Sequence, residues 1–266
     1  MPRTFLALFA PLAAAALALA GCGGSTTQTA TRAAAVTSAS AKSAAFISRL
    51  SVATTLGSTV PGNGDVNPYG IALVASSAGR LRAGDVLVSN FNDKANEQGT
   101  GTTIDELTRA GRLTLFASVD AERLPGACPG GVGLTTALNV LPGGYVLVGS
   151  LPTSDGKSAT AQAGCLIVLD SEGRPVETIA GKDIQGPWDS TAHTEGTRTT
   201  VFVSNALSGG AAAGVRTVAN STVLRLVLQS RAGRAPKVLG EQVVANGIPW
   251  RDSPEALVLG PTGLAL

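Results

Sequence analysis

Apolar residues along this chain gather in short runs separated by Gly, Pro and polar residues, and no helical stripe follows the first twenty positions. Three runs share one shape, an apolar strand closing on small polar residues: Asp85-Val86-Leu87-Val88-Ser89-Asn90, Tyr145-Val146-Leu147-Val148-Gly149-Ser150 and Val201-Phe202-Val203-Ser204-Asn205. Near-continuous Val and Leu are what a strand buried on both faces requires. Each marker follows another apolar stretch, at 70–74, 134–141 and 188–194, and precedes a third (102–107, 165–170, 222–228) and a fourth (113–119, 176–180, 237–244). Between third and fourth stand Arg109-Ala110-Gly111-Arg112, Ser171-Glu172-Gly173-Arg174 and Arg231-Ala232-Gly233-Arg234, each with a Gly placed to reverse the chain in a hairpin. The pattern predicts an all-β fold: antiparallel four-stranded blades of a β-propeller, three complete, with Pro261 to Leu266 as the first strand of a fourth. Phe46 to Leu56 reads as a further strand, available to pair with a terminal blade.

The N-terminal run is of a different kind. Arg3 precedes a stretch from Phe5 to Ala20 of apolar or small residues, which ends at Leu19-Ala20-Gly21-Cys22. A positive flank, an apolar stretch and small residues before the cut describe a secretory signal, removed on maturation. The box resembles that of bacterial lipoproteins, and the resemblance implies cleavage before Cys22 and diacylation of its sulfur. The organisation expected is therefore a signal at 1–21, a Ser/Thr/Ala-rich tether at 22–45 and the propeller at 46–266. The protein is placed in the bacterial envelope, extracytoplasmic and held to a membrane by lipid. Gly23 after the cysteine supplies no inner-membrane retention signal, so the outer membrane and the outer face of the cell membrane both remain open.

Export changes the reading of the cysteines. Of three, Cys22 is assigned to lipid, leaving Cys128 and Cys165 for a disulfide in an oxidising compartment. The chain carries 20 Lys and Arg against 18 Asp and Glu, and loss of Arg3 with the signal brings it closer to neutrality. That balance lacks the basic stripe nucleic acid demands.

The motifs Asn67-Pro68-Tyr69-Gly70-Ile71-Ala72, Gly84 to Asn90 and Gly260-Pro261-Thr262-Gly263-Leu264-Ala265 resemble those of the NHL and SMP-30-like six-bladed propellers. The likeness spans about residues 47–266 and its motifs are structural. It implies long second-to-third and blade-to-blade connections on one face, including 91–101, 120–133, 151–164 and 206–221, where binding sites usually lie. Cys128 and Cys165 both fall on that face. Asn67, Asn90, Ser150 and Asn205 form the candidate ligand face, with two roles open to the strand-ending residues: coordinating a ligand or divalent cation, or capping strand ends. SMP-30-like lactonases hold a divalent metal with carboxylate and amide oxygens, but no carboxylate set carries over to this chain, and no cofactor is identified.

Other signals are weaker. His193, the only histidine, adjoins Ser190 in sequence without a Gly-x-Ser-x-Gly elbow. Asn63-Gly64-Asp65-Val66-Asn67 alternates oxygens as a calcium loop does, yet lacks the closing Glu. Trp188, Trp250 and Tyr69 stand near first strands, where they stack on a ligand or plug gaps between sheets. Two functions follow: a scaffold binding an envelope protein or a small molecule without catalysis, and an SMP-30-like metal-dependent hydrolase or lactonase.

Overall fold

Residues in the marker runs alternate between two buried faces, and this explains why they are apolar throughout. The computed structural model describes residues 46–207, 216–231 and 233–266, so the expected signal, Cys22 and the expected tether to 45 lie outside the described residues. The chain divides into a unit ending at Ala53, of which the 3₁₀ turn Phe46–Arg49 is described, and a unit from Thr54 to Leu266 that contains the sheets. The fold is all-β, built from antiparallel sheets.

The first sheet runs in the order β1 (Val66–Leu73), β2 (Val86–Asn92), β3 (Thr103–Leu107) and β4 (Leu113–Ser118); the second repeats it with β5 (Leu134–Leu141), β6 (Tyr145–Ser150), β7 (Cys165–Leu169) and β8 (Pro175–Ile179). The third consists of β9 (Pro187–Glu195), β10 (Arg198–Asn205), β11 (Val218–Arg231) and β12 (Arg234–Ser253), with β13 (Leu257–Leu259) added on the outer edge. All three predicted hairpins turn on the expected glycine: Gly111, Gly173 and Gly233 have φ of 79°, 81° and 65°, a conformation that L side chains rarely adopt.

The second sheet separates two cores. Val146 and Val148 of β6 and Cys165, Ile167 and Leu169 of β7 pack with Leu87, Ile104 and Phe116 of the first sheet. Their alternates Leu147, Leu166 and Val168 pack with Val201, Val203, Leu224, Leu226 and Leu228 of the third. A third cluster, including Phe91, Leu151, Trp188 and Trp250, joins the three sheets at the ends where the long connections lie.

Among the described residues no sheet covers the other face of the first sheet. A strap, residues 54–65, runs along it instead: Leu56 meets the Gly111 turn, the Thr59 carbonyl meets Asn90, and Asp65 meets Thr102 and Thr103 at the far end. The strap corrects one expectation, because 50–65 contain no strand and Phe46–Arg49 is a 3₁₀ turn. Among the described residues no strand lies alongside 46–56 to share a ladder with it, and a strand exists only through such pairing. A second correction concerns the C-terminus. Residues 260–266 form no strand; the added strand is β13, paired with β12 from Arg251↔Leu259 to Ser253↔Leu257. β12 itself extends well beyond the expected 237–244, because a series of register shifts lets it stay paired with β11 as far as Val218↔Trp250.

The predicted disulfide is present. Cys128, in the connection between the first and second sheets, bonds Cys165 at the start of β7, with Cα atoms 5.3 Å apart. Replacing both residues by Ala is expected to lower stability by about 2–4 kcal/mol, read by urea denaturation, and denatured unreduced protein should show no free thiol from either position.

Candidate functional site

Each sheet begins with an unpaired edge, β1, β5 or β9, and these three edges lie next to one another. A bare edge invites pairing by another chain, and here side chains join the edges instead. Ser89 Oγ donates to the Thr135 carbonyl at 2.8 Å, Thr135 Oγ1 to the Pro187 carbonyl at 2.8 Å, and Thr136 Oγ1 to the Trp188 carbonyl. Asn139 Nδ2 reaches Ser190 Oγ at 2.5 Å. The approach is close enough that a Cβ on Gly70 would lie 2.9 Å from Leu138 Cβ and 3.0 Å from the Thr136 carbonyl oxygen.

Along the edges opens a cleft of about 820 Å³, closed on one side by Val258, Leu259 and residues 262–264. Its wall on β1 is apolar, with Ile71 69% and Leu73 64% exposed. On the other walls Thr136 and Asn139 of β5 and Asp189 and Ser190 of β9 supply polar groups among apolar ones such as Leu138 and Val140. Burial holds the Asp189 carboxyl above the usual carboxylate range, while the Leu264 backbone N–H, donating to Oδ2 at 2.8 Å, opposes that shift. Tyr69 and Trp188 stand at one end of the cleft in an aromatic group with Phe91: Tyr69 stacks on Phe91 at 4.5 Å between centroids, and Trp188 meets both rings edge-on. Burial also raises the Tyr69 hydroxyl above its ordinary pKa, with a side-chain hydrogen bond from Asn67 acting the other way.

The residues expected on the ligand face sit elsewhere. Asn90, Ser150 and Asn205 are fully buried, and none lines the cleft. Each hooks the segment that leads into its own sheet. Asn205 Nδ2 donates to the Asp183 carbonyl at 3.1 Å and to Thr222 Oγ1 at 3.2 Å, while Oδ1 accepts from the Gln185 N–H. Ser150 Oγ donates to the Gly131 carbonyl and accepts from the Gly133 N–H. Asn90 Nδ2 donates to the Thr59 carbonyl, Thr103 Oγ1 and Asp105 Oδ2. All three side chains are thus bonded to the backbone of the segment that enters their sheet. Asn67, at φ 61°, donates to Asn92 Oδ1 and likewise lies outside the cleft lining.

Other sequence signals resolve similarly. Asp65, within the calcium-like stretch, has Oδ2 occupied by the N–H and hydroxyl groups of Thr102 and Thr103. The ring of His193 is exposed and meets Glu195, two residues along the same strand, at 3.3 Å, and it does not line the cleft with Ser190. Trp250 is buried, with its indole N–H on Asn220 Oδ1. Sequence reasoning missed Asn139 and Asp189 as cleft residues, although polar side chains within inner strands were the available signal.

Among the described residues there is no cluster of three or more His, Cys, Asp or Glu placed to hold a metal, and no helix long and apolar enough to cross a membrane. The chain matches no protein-family model and no curated protein. Asn205→Ala is expected to cost about 1–3 kcal/mol, because it removes the partner of the part-buried Gln185 N–H and Asp183 carbonyl, a loss that chemical denaturation would measure.

Proposed function

We propose that this chain is a lipid-anchored protein of the bacterial envelope whose sheets are blades of a β-propeller and whose inner cleft binds a small ligand without catalysing a reaction. The cleft carries the reading. It combines an exposed apolar wall with a few polar groups able to orient a ligand, the usual composition of a binding pocket. In a propeller the inner strands line the central channel, and β1, β5 and β9 are the edges that meet at the cleft. The lipoprotein part rests on the box ending at Cys22 and on the tether that follows.

The alternative, a metal-dependent hydrolase of the SMP-30 kind, fits the cleft less well. Hard divalent cations are held through oxygen ligands, at calcium sites usually with more than one carboxylate among them, whereas Asp189 is the one carboxylate in the described lining. An envelope protein as the occupant differs from a small ligand in the surface it would need beyond the cleft.

Two measurements test the proposal. Cells fed a clickable fatty acid should label the wild-type protein and leave Cys22→Ala unlabelled; equal labelling removes the anchor. A compound found by thermal-shift screening should lose about tenfold in affinity, about 1.4 kcal/mol, when Asp189 becomes Ala, and should bind normally to His193→Ala. Turnover of a lactone by the purified protein that disappears in Asp189→Ala would favour the hydrolase instead.

A further inference from the structure

The three strand-end hooks differ in one respect. In the second and third sheets the hooking side chain takes a carbonyl and the N–H two residues further on: Gly131 and Gly133 for Ser150, Asp183 and Gln185 for Asn205. In the first sheet the carbonyl belongs to Thr59, and two residues further stands Pro61, which has no N–H. Asn90 Oδ1 is accordingly buried without a donor. The amide cannot be reversed to relieve it, since Nδ2 already faces three acceptors, the Thr59 carbonyl, Thr103 Oγ1 and Asp105 Oδ2.

A second departure coincides with the first. Asp105 lies opposite Val88 on β2, the register position held by Ile167 opposite Val148 and by Leu224 opposite Val203. The first sheet therefore has a carboxyl where the other two are apolar, with its own Oδ1 also buried and unpartnered. These two orphan acceptors belong to side chains already held together by the 2.9 Å bond from Asn90 Nδ2 to Asp105 Oδ2.

The geometry points to Asp105 as a protonated acid that donates through Oδ1 to Asn90 Oδ1, replacing the backbone donor that Pro61 removes and making the hook on the strap a pH-sensitive clasp. One proton satisfies both orphans and closes a two-bond acid–amide pair. As a carboxylate, Asp105 would be a buried charge with a single neutral donor, in contrast to Asp65, on which four donors converge. The charged groups around Asp105 point the same way: β2, β4 and the strap contribute Asp65 alone, and Glu106, the neighbour on β3, points to the opposite face and accepts from Arg82 N–H. Burial first, and the negative charge of Asp65 after it, push the Asp105 carboxyl up to about 7 against the lowering effect of Asn90.

The sign follows from linkage. A carboxyl raised from 3.8 when unfolded to about 7 when folded favours the folded state most at low pH, and that advantage falls as pH rises through this window. Between about pH 5 and pH 8 the contribution of Asp105 to the folding constant should fall by about a hundredfold. Asn at 105 imitates the protonated acid. Urea denaturation should therefore find Asp105→Asn more stable than wild type at about pH 8, with the advantage gone at about pH 5; a difference independent of pH overturns the proposal. At about pH 8, amides of residues 57–65 should exchange hydrogen faster in wild type than in Asp105→Asn, and equal rates overturn the clasp. Should Asp105→Asn fail to fold, the carboxyl ¹³C resonance of Asp105 in the wild-type protein decides directly: a midpoint near neutrality supports the assignment, and one near the ordinary 3.8 overturns it.

Discussion

The hydrogen bonds made by one buried polar residue at the end of each second strand fasten the connecting segments of this fold. Asn90, Ser150 and Asn205 each reach from inside a sheet to the backbone of the segment entering that sheet. A connection between sheets carries backbone groups that no ladder satisfies, and burying them unpaired is costly. The hook supplies the missing partners and ties each connection to a rigid strand. In the first and third sheets a threonine opposite the asparagine, Thr103 or Thr222, completes it. In the second, the position of that threonine is taken by Cys165, and the disulfide to Cys128 ties down the same connection covalently.

Burial then distinguishes the three sheets. The second is covered by sheets on both sides, so alternate residues of β6 and β7 supply two separate cores and every position is apolar or small. The first is covered on one side by a strap with few large side chains, and there polar residues occupy the buried face. Asp105, Asn90 and Thr103 form a network under that strap. A fully apolar face would have left the strap's backbone groups without partners, whereas the network gives Thr59 one. The cost is a carboxyl in a position that favours its neutral form.

The cleft follows from the same arrangement. Because the first strand of every sheet is an edge, the three edges meet, and their side chains bond across the junction instead of leaving main-chain groups bare. Ile71 and Leu73 remain exposed because the alternation of β1 turns them away from the sheet behind it. Apolar exposure and polar stitching therefore occur side by side, and this combination makes the cleft the strongest candidate for ligand binding.

Much of the fold was legible in the sequence by itself. The apolar runs located the strands of the repeated units within a few residues, β12 excepted, because two-sided burial demands continuous Val, Leu and Ile, and the glycines at 111, 173 and 233 announced their hairpins because their φ values exclude most other residues. The pairing of Cys128 with Cys165 was legible by the same kind of elimination. The site was not. Asn90 and Asn205 have the composition of ligands and the environment of structural ties, and only their partners, up to 31 residues away, distinguish the two. Asp189 and Asn139 looked like ordinary polar residues within strands until three edges brought them to one cleft. Strand formation depends on neighbours in sequence, which a single chain displays; the role of a polar side chain depends on which donors and acceptors surround it, and tertiary structure alone decides that.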